Sequence, residues 1–127
     1  MNKRIIDKGD NIYELICSIC GKVAMTFHKG IFYGKEGYIY TGVTHECALP
    51  MKTIPHITDL LKDDKLAELH EYVKRWVPME EGLDGYCPEC DKVYCNAHIR
   101  TEVEFDDGFY DCTYGTCPKG HRRIIDD

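Results

Sequence analysis

No stretch of this sequence approaches the roughly 18 consecutive apolar residues of a membrane-spanning helix, so a bilayer span is not expected. The opening residues, Met1 to Asp10, alternate charged with apolar side chains and lack the apolar run of a secretory signal. A reducing, cytoplasmic setting is therefore expected, in which disulfides do not persist. No internal repeat, heptad pattern or low-complexity tract is visible. Basic residues are also in short supply: 16 Lys and Arg stand against 22 Asp and Glu, a formal charge of −6. That balance makes a poor grip for a phosphate backbone, so nucleic acid is a less expected partner than a basic protein. The deficit is local. Residues 1–49 carry six basic and five acidic side chains, residues 50–80 carry five and six, and residues 81–127 carry five and eleven.

Familiar catalytic signatures are missing too. There is no H-E-x-x-H and no phosphate-binding glycine loop. A zinc deaminase would need H/C-x-E with P-C-x-x-C downstream, but His45-Glu-Cys47 has its glutamate in the wrong place and Cys87 precedes its proline. The carboxylates Glu102, Glu104, Asp106, Asp107 and Asp111 read as a solvated hairpin face rather than acid–base pairs. Tyr33, Tyr38, Tyr40, Tyr110 and Tyr114 read as strand and core residues, because no basic surround equips them to stack on bases.

What the chain does have is eight cysteines in 127 residues. A domain this small buries a modest core and commonly needs a disulfide or metal staple. Spacing favours metal. Cys17-Ser-Ile-Cys20 and Cys87-Pro-Glu-Cys90 are C-x-x-C pairs, Cys95-Asn-Ala-His98 is C-x-x-H, and Cys117-Pro-Lys-Gly-His121 is C-x-x-x-H. Mixed thiolate and imidazole ligands suit Zn²⁺ better than an iron–sulfur cluster, and four tetrahedral ligands per ion imply two or more ions. Gly21 behind Cys20 leaves room for the backbone of the first knuckle to approach its sulfurs.

The simplest pairing closes a first site with Cys17, Cys20, His45 and Cys47, since residues i and i+2 of a strand share a face. The second would take Cys87, Cys90, Cys117 and His121. Cys95, His98 and Cys112 then remain, and three readings compete for them. They form a third site with an open position, they replace members of the second site, or Cys95 and His98 cross over to the N-terminal ligands. A buried thiol is the plain alternative for Cys95 or Cys112. His28, His56 and His70 have no cysteine near them, and His70 reads as a surface residue.

The run Cys87-Pro-Glu-Cys90-Asp-Lys-Val-Tyr-Cys95-Asn-Ala-His98 resembles the C-x-x-C-x-x-x-aromatic-C-x-x-H/C segment of treble-clef zinc fingers, the AN1 and FYVE families among them. That resemblance spans twelve residues and implies a structural, often cross-braced, metal scaffold for protein or lipid recognition, with Cys87, Cys90, Cys95 and His98 as ligands. The basic phosphoinositide-binding patch of FYVE domains and the histidine–cysteine end of AN1 fingers are both missing.

The expected fold is α+β: a small zinc-stapled domain of short antiparallel β-hairpins around one central amphipathic helix. Residues 1–49 form an N-terminal zinc-binding β segment, 50–82 a helical connector and 83–127 a C-terminal zinc-binding β segment, packed as one compact unit. Strands are expected at Asn11–Ile16, Val23–His28, Ile31–Tyr33 and Tyr38–Val43, with a turn at Gly34-Lys-Glu-Gly37. The helix, capped by Asp63 or Asp64, runs to Trp76 on an apolar stripe of Leu66, Leu69, Val73 and Trp76, with Glu68, Glu71, Lys74 and Arg75 outside. Pro78 and Gly82 end it; ahead of it Pro50 and Pro55 keep the entry irregular, and Ile57–Lys62 forms one short turn. Ile99–Phe105 sets Val103 and Phe105 inward against Glu102 and Glu104. The turn Asp106-Asp-Gly108 returns the chain through Phe109–Tyr114.

The function expected from these features is a non-enzymatic, zinc-binding interaction or regulatory module with an acidic C-terminal face. An inhibitor or immunity protein for a basic enzyme, such as a nuclease toxin, is its concrete form. The alternatives are a zinc-dependent hydrolase built on an open Cys95/His98/Cys112 site and a nucleic-acid-binding zinc finger using Arg122 and Arg123.

Overall fold

The computed structural model describes residues 3–76 and 81–126, so the expected helix stop at Pro78 lies outside the described residues. The chain starts as an antiparallel meander of five strands: β1 (Ile5–Gly9), β2 (Ile12–Ile16), β3 (Val23–Phe32), β4 (Lys35–Thr41) and β5 (Glu46–Leu49). Two of its turns place pairs of residues at positive φ, Asp10-Asn11 and Tyr33-Gly34. That backbone matches the right-handed twist of the strands on either side. The second of these corrects the expected turn at Gly34-Lys-Glu-Gly37, because β4 already begins at Lys35 and pairs with Phe32. The expected break before Ile31 is absent, and β3 runs through Gly30 as one strand.

Alternation along β2, β3 and β4 turns Tyr13, Leu15, Met25, Phe27, Tyr38 and Tyr40 to one side, where all are buried. Two helices cover that face: α1 (Ile54–Lys62), entered through a 3₁₀ turn at Met51–Thr53, and α2 (Leu66–Trp76). The single central helix is thus corrected to a pair. Pro55 lies in the first turn of α1, where a missing N–H costs nothing, so it starts the helix instead of breaking it. Ile57, Leu60 and Leu61 from α1 and Leu66, Leu69 and Val73 from α2 complete the core with Leu83, Tyr86 and Val93.

Two stripe assignments are corrected. His70 is buried, since position 70 follows Leu66 by four and precedes Val73 by three, and so lies on the same face. Its Nδ1 accepts a hydrogen bond from the Leu83 N–H at 3.0 Å. Trp76, by contrast, is exposed, with the Lys52 ammonium 5.2 Å from its ring.

The C-terminal third adds a short pair, β6 (Tyr86–Cys87) and β7 (Lys92–Val93). A three-stranded sheet of β8 (Arg100–Asp106), β9 (Phe109–Thr116) and β10 (Arg122–Asp126) follows, ordered β10-β9-β8. Asp107 and Gly108, both at positive φ, make the expected turn between β8 and β9. Val103 and Phe105 are not inward: every residue of β8 is exposed. Tyr33 and Tyr110 are exposed as well, unlike the buried Tyr38 and Tyr40. Arg123 ties β10 to the rest by donating to the carbonyls of Leu83 and Tyr86, each at 2.7 Å. Among the described residues no helix is long and apolar enough to cross a membrane.

Candidate metal centres

Each knuckle is shaped by its own backbone. The Gly21 N–H donates to the Cys17 carbonyl at 3.1 Å and the Asp91 N–H to the Cys87 carbonyl at 2.8 Å, and both residues adopt positive φ. Gly21 has that conformation without a steric penalty. Asp91 is held in it by its carboxylate, which accepts from Tyr86 Oη at 2.5 Å and from Arg4 at 3.1 Å. Those two donors also hold the Asp91 carboxyl below its ordinary pKa, the tyrosine contributing most. In the same way the His98 N–H closes on the Cys95 carbonyl at 2.9 Å, and the Gly120 N–H on that of Cys117 at 2.9 Å.

Tertiary contacts then set the knuckles in two groups. The Ser18 N–H donates to the Val93 carbonyl at 2.8 Å, bringing the first knuckle against β7 and so against Cys95 and His98. Cys17, Cys20, Cys95 and His98 converge there, their ligand atoms all within 4.8 Å of one another. Cys20 Sγ lies 3.6 Å from Cys95 Sγ, and His98 Nδ1 lies 3.6 Å from Cys17 Sγ and 3.3 Å from Cys95 Sγ. A second group joins Cys87, Cys90, Cys117 and His121 within the same limit. Here His121 Nδ1 lies 3.5, 3.2 and 3.4 Å from the sulfurs of Cys87, Cys90 and Cys117, and Cys90 Sγ is 3.8 Å from Cys117 Sγ. The pairs alternate along the chain, first with third and second with fourth.

Thiol acidity is uneven within the groups. Burial opposes ionisation of Cys17 and Cys117, yet neighbouring backbone N–H groups outweigh it and lower both thiols. Burial raises Cys87 and Cys95. The far nitrogen of His121, Nε2, meets Glu89 Oε2 at 3.1 Å, inside the Cys-Pro-Glu-Cys knuckle itself. No disulfide links any of the eight cysteines.

The expected grouping of Cys87, Cys90, Cys117 and His121 is the one the structure assembles. The expected closure of Cys17 and Cys20 by His45 and Cys47 is not. Those two belong to neither group: His45 lies in the β4–β5 loop and Cys47 in β5, against a different buried site. His45 Nδ1 lies 3.4 Å from Asp84 Oδ2, its ring stands 5.9 Å from that of Tyr40, and buried Cys47 pairs with Tyr40 across β4 and β5. Cys112 also stands apart, opposite Glu104 in the β8–β9 ladder with its Sγ 3.9 Å from Asp111 Oδ2. The open Cys95/His98/Cys112 arrangement is therefore not formed among the described residues.

Sequence reasoning passed over Asp84 entirely. This carboxylate is 1% exposed and accepts from Tyr40 Oη at 2.5 Å, the Val43 N–H at 3.0 Å, and the Thr44 N–H and hydroxyl at 2.8 Å each. It joins the β4–β5 loop to the segment leading into the second knuckle. Asp-Gly spacing reads as a turn, and nothing local marks partners forty residues away.

The fold and sites define a class: a mixed protein whose described residues form three antiparallel sheets and two helices and carry two Cys₃His groups that could each hold a metal ion. The chain belongs to the family DUF8328, described as a domain of unknown function, which matches residues 6–127. The match is to that family and not to a treble-clef zinc finger. No curated protein and no solved structure matches the chain.

Proposed function

We propose that the protein is a zinc-stapled, non-enzymatic interaction module whose two metal ions hold an acidic C-terminal face in place for a basic protein partner. The observation that carries the metal reading is the alternation of ligand pairs. Each group joins one pair from a tight knuckle to another brought from a distant segment, which is what a folding staple requires. Around a tetrahedral zinc, sulfur and nitrogen ligands would be roughly 3.5–3.8 Å apart at ordinary bond lengths. The seven contacts given above, at 3.2–3.8 Å, lie close to that frame, and every ligand pair lies within 4.8 Å. Both histidines offer Nδ1 to their group, and the carboxylate of Glu89 on the far nitrogen of His121 is the outer-shell partner that fixes such a tautomer.

A full complement of four protein ligands leaves no coordination position for a substrate or water, which favours a scaffold over a hydrolase. The arginines that would serve a nucleic-acid reading are turned to other uses: Arg123 onto backbone carbonyls, and Arg122 over the Tyr114 ring at 3.6 Å. The acids of β8 and its turn are exposed.

Metal analysis of the purified chain under reducing conditions tests the reading. Two zinc ions per chain are expected, and their removal by a chelator should abolish the cooperative melt, because structural zinc binding is folding free energy. Metal-free protein that melts cooperatively would overturn it.

A further inference from the structure

We infer that β8 is a docking edge to which a partner adds an extended, basic strand, with the exposed aromatic residues of the β8–β9 hairpin as its anchors. The inference rests on the acidic-face reading above and specifies how that face is used.

Among the described residues β8 pairs with β9 alone, and no other described strand lies along its outer side. It is seven residues long and exposed throughout, and such an edge is a ready template for another strand. The irregularity in the β8–β9 ladder falls between Glu104 and Phe105, where the residue left over is Asp111 of β9, so β8 itself carries no inserted residue. By comparison, the free edge β1 has its ladder interrupted between Asp7 and Gly9, and the edge strand β10 between Ile124 and Asp126.

The side chains supply the specificity. Val103 is 50% exposed and Phe105 66%, and across the hairpin Phe109 and Tyr110 are 78% and 47% exposed. Four large apolar or aromatic side chains on one uncovered hairpin exceed what scattered surface residues explain. Between them stand Glu102, Glu104 and Asp106, with Asp107 and Asp111 beside them, against the single base Arg100.

That charge selects the occupant. A second copy adding edge to edge would bring these acids against their own counterparts, the device by which natural edges avoid self-pairing. Duplex nucleic acid and anionic membranes are repelled for the same reason. An extended peptide alternating Lys or Arg with apolar residues satisfies the backbone edge, the aromatic anchors and the carboxylates together, the mode known as strand addition.

The test is a titration of the metal-loaded, ¹⁵N-labelled full chain with a ten-residue peptide alternating Lys and Val. Shifts confined to the β8–β9 hairpin and at least tenfold slower hydrogen exchange of β8 amides are expected. A copy N-methylated at every residue keeps the side chains but has no backbone donors, and it should bind at least tenfold more weakly. If it binds as well as its parent, strand addition is overturned while the acidic-face reading stands. A Glu–Val peptide should not bind. If the parent peptide binds E102K/E104K protein as tightly as wild type, or shifts residues elsewhere only, both readings fall. Concentration-dependent self-association through β8, or saturable binding of duplex DNA or anionic vesicles there, would overturn the assigned occupant.

Discussion

His121 and Glu89 meet at 3.1 Å through Nε2 and a carboxylate oxygen, although 32 positions separate them and His121 turns its other nitrogen to three cysteine sulfurs. A carboxylate on the outer nitrogen of a ligating imidazole fixes the tautomer and raises ligand basicity. The knuckle therefore supplies more than its two sulfurs to the second site. Glu89→Gln should keep the fold and still bind two zinc ions, but weaken the second site by about tenfold, the lower end of such outer-shell effects. Competition against a chromophoric chelator measures this. Unchanged affinity for both ions would mean that the contact is incidental to the metal.

The alternating pairing predicts which substitutions act together. Cys17→Ser and Cys95→Ser lie far apart in sequence but belong to one group, so each should cost the same ion and leave the other. Cys87→Ser and Cys117→Ser should cost the second. Cys47→Ser and Cys112→Ser should leave two ions in place, because neither residue joins a group. Metal counting on the six variants, with cobalt spectra reporting three thiolates per site, decides it. Loss of an ion from Cys47→Ser would restore the pairing that sequence alone favours.

That pairing shows what the sequence carries. The knuckles are legible because C-x-x-C and C-x-x-H are local devices, closed by bonds such as Gly21 N–H to Cys17 C=O. Which knuckle meets which is written in tertiary contacts such as that of Ser18 with Val93, and spacing does not encode those. His45 and Cys47 do not share a strand face, because β5 begins only at Glu46; His45 stays in the loop beside Asp84 and Cys47 pairs with Tyr40. The hairpin at Asp107-Gly108 was readable from its turn residues. The exposure of Val103 and Phe105 was not, because alternation marks a face without saying whether anything covers it. Residues 57–62 alone read as a short turn, which hid the full length of α1, and an imidazole at position 70 hid the width of the buried face of α2.

His70 carries a pH prediction. Burial, helped by the nearby positive charges of Arg123 and Lys74, lowers its pKa to about 3. In the unfolded chain it titrates near 6.5. Between those values the unfolded state binds a proton that the native state refuses, so stability falls as pH drops through that window and stops falling on this account below about 3. The slope from one such group is about 1.4 kcal/mol per pH unit. His70→Gln, which keeps an acceptor for the Leu83 N–H, should remove that slope. Metal-ligand protonation also acts at low pH but is common to both proteins, so the difference between their urea-unfolding curves from pH 7 to 5 isolates His70. Parallel curves would show that the imidazole is not held neutral by the fold.

The Asp84 site predicts a loss of stability away from either metal group. Tyr40 Oη donates to Asp84 Oδ1 and also accepts from the Asp84 N–H at 3.1 Å, all within a fully buried setting. Burial first, and the adjacent carboxylate second, push the Tyr40 pKa well up, so the phenol remains a donor at every working pH. Tyr40→Phe removes both interactions: the Asp84 N–H loses its acceptor while Oδ1 keeps the Val43 N–H, and the unsatisfied N–H should cost about 1–3 kcal/mol. Gly42→Ala attacks the same site sterically, because a Cβ there would stand 2.2 Å from Asp84 Oδ1 and must displace the carboxylate. Both variants should bind two zinc ions with near-native affinity, since none of these atoms belongs to a ligand group. Urea unfolding with free zinc held constant measures the effect. If Tyr40→Phe proves neutral, water must be reaching Asp84, and the carboxylate would no longer be the clamp between the β4–β5 loop and the second knuckle.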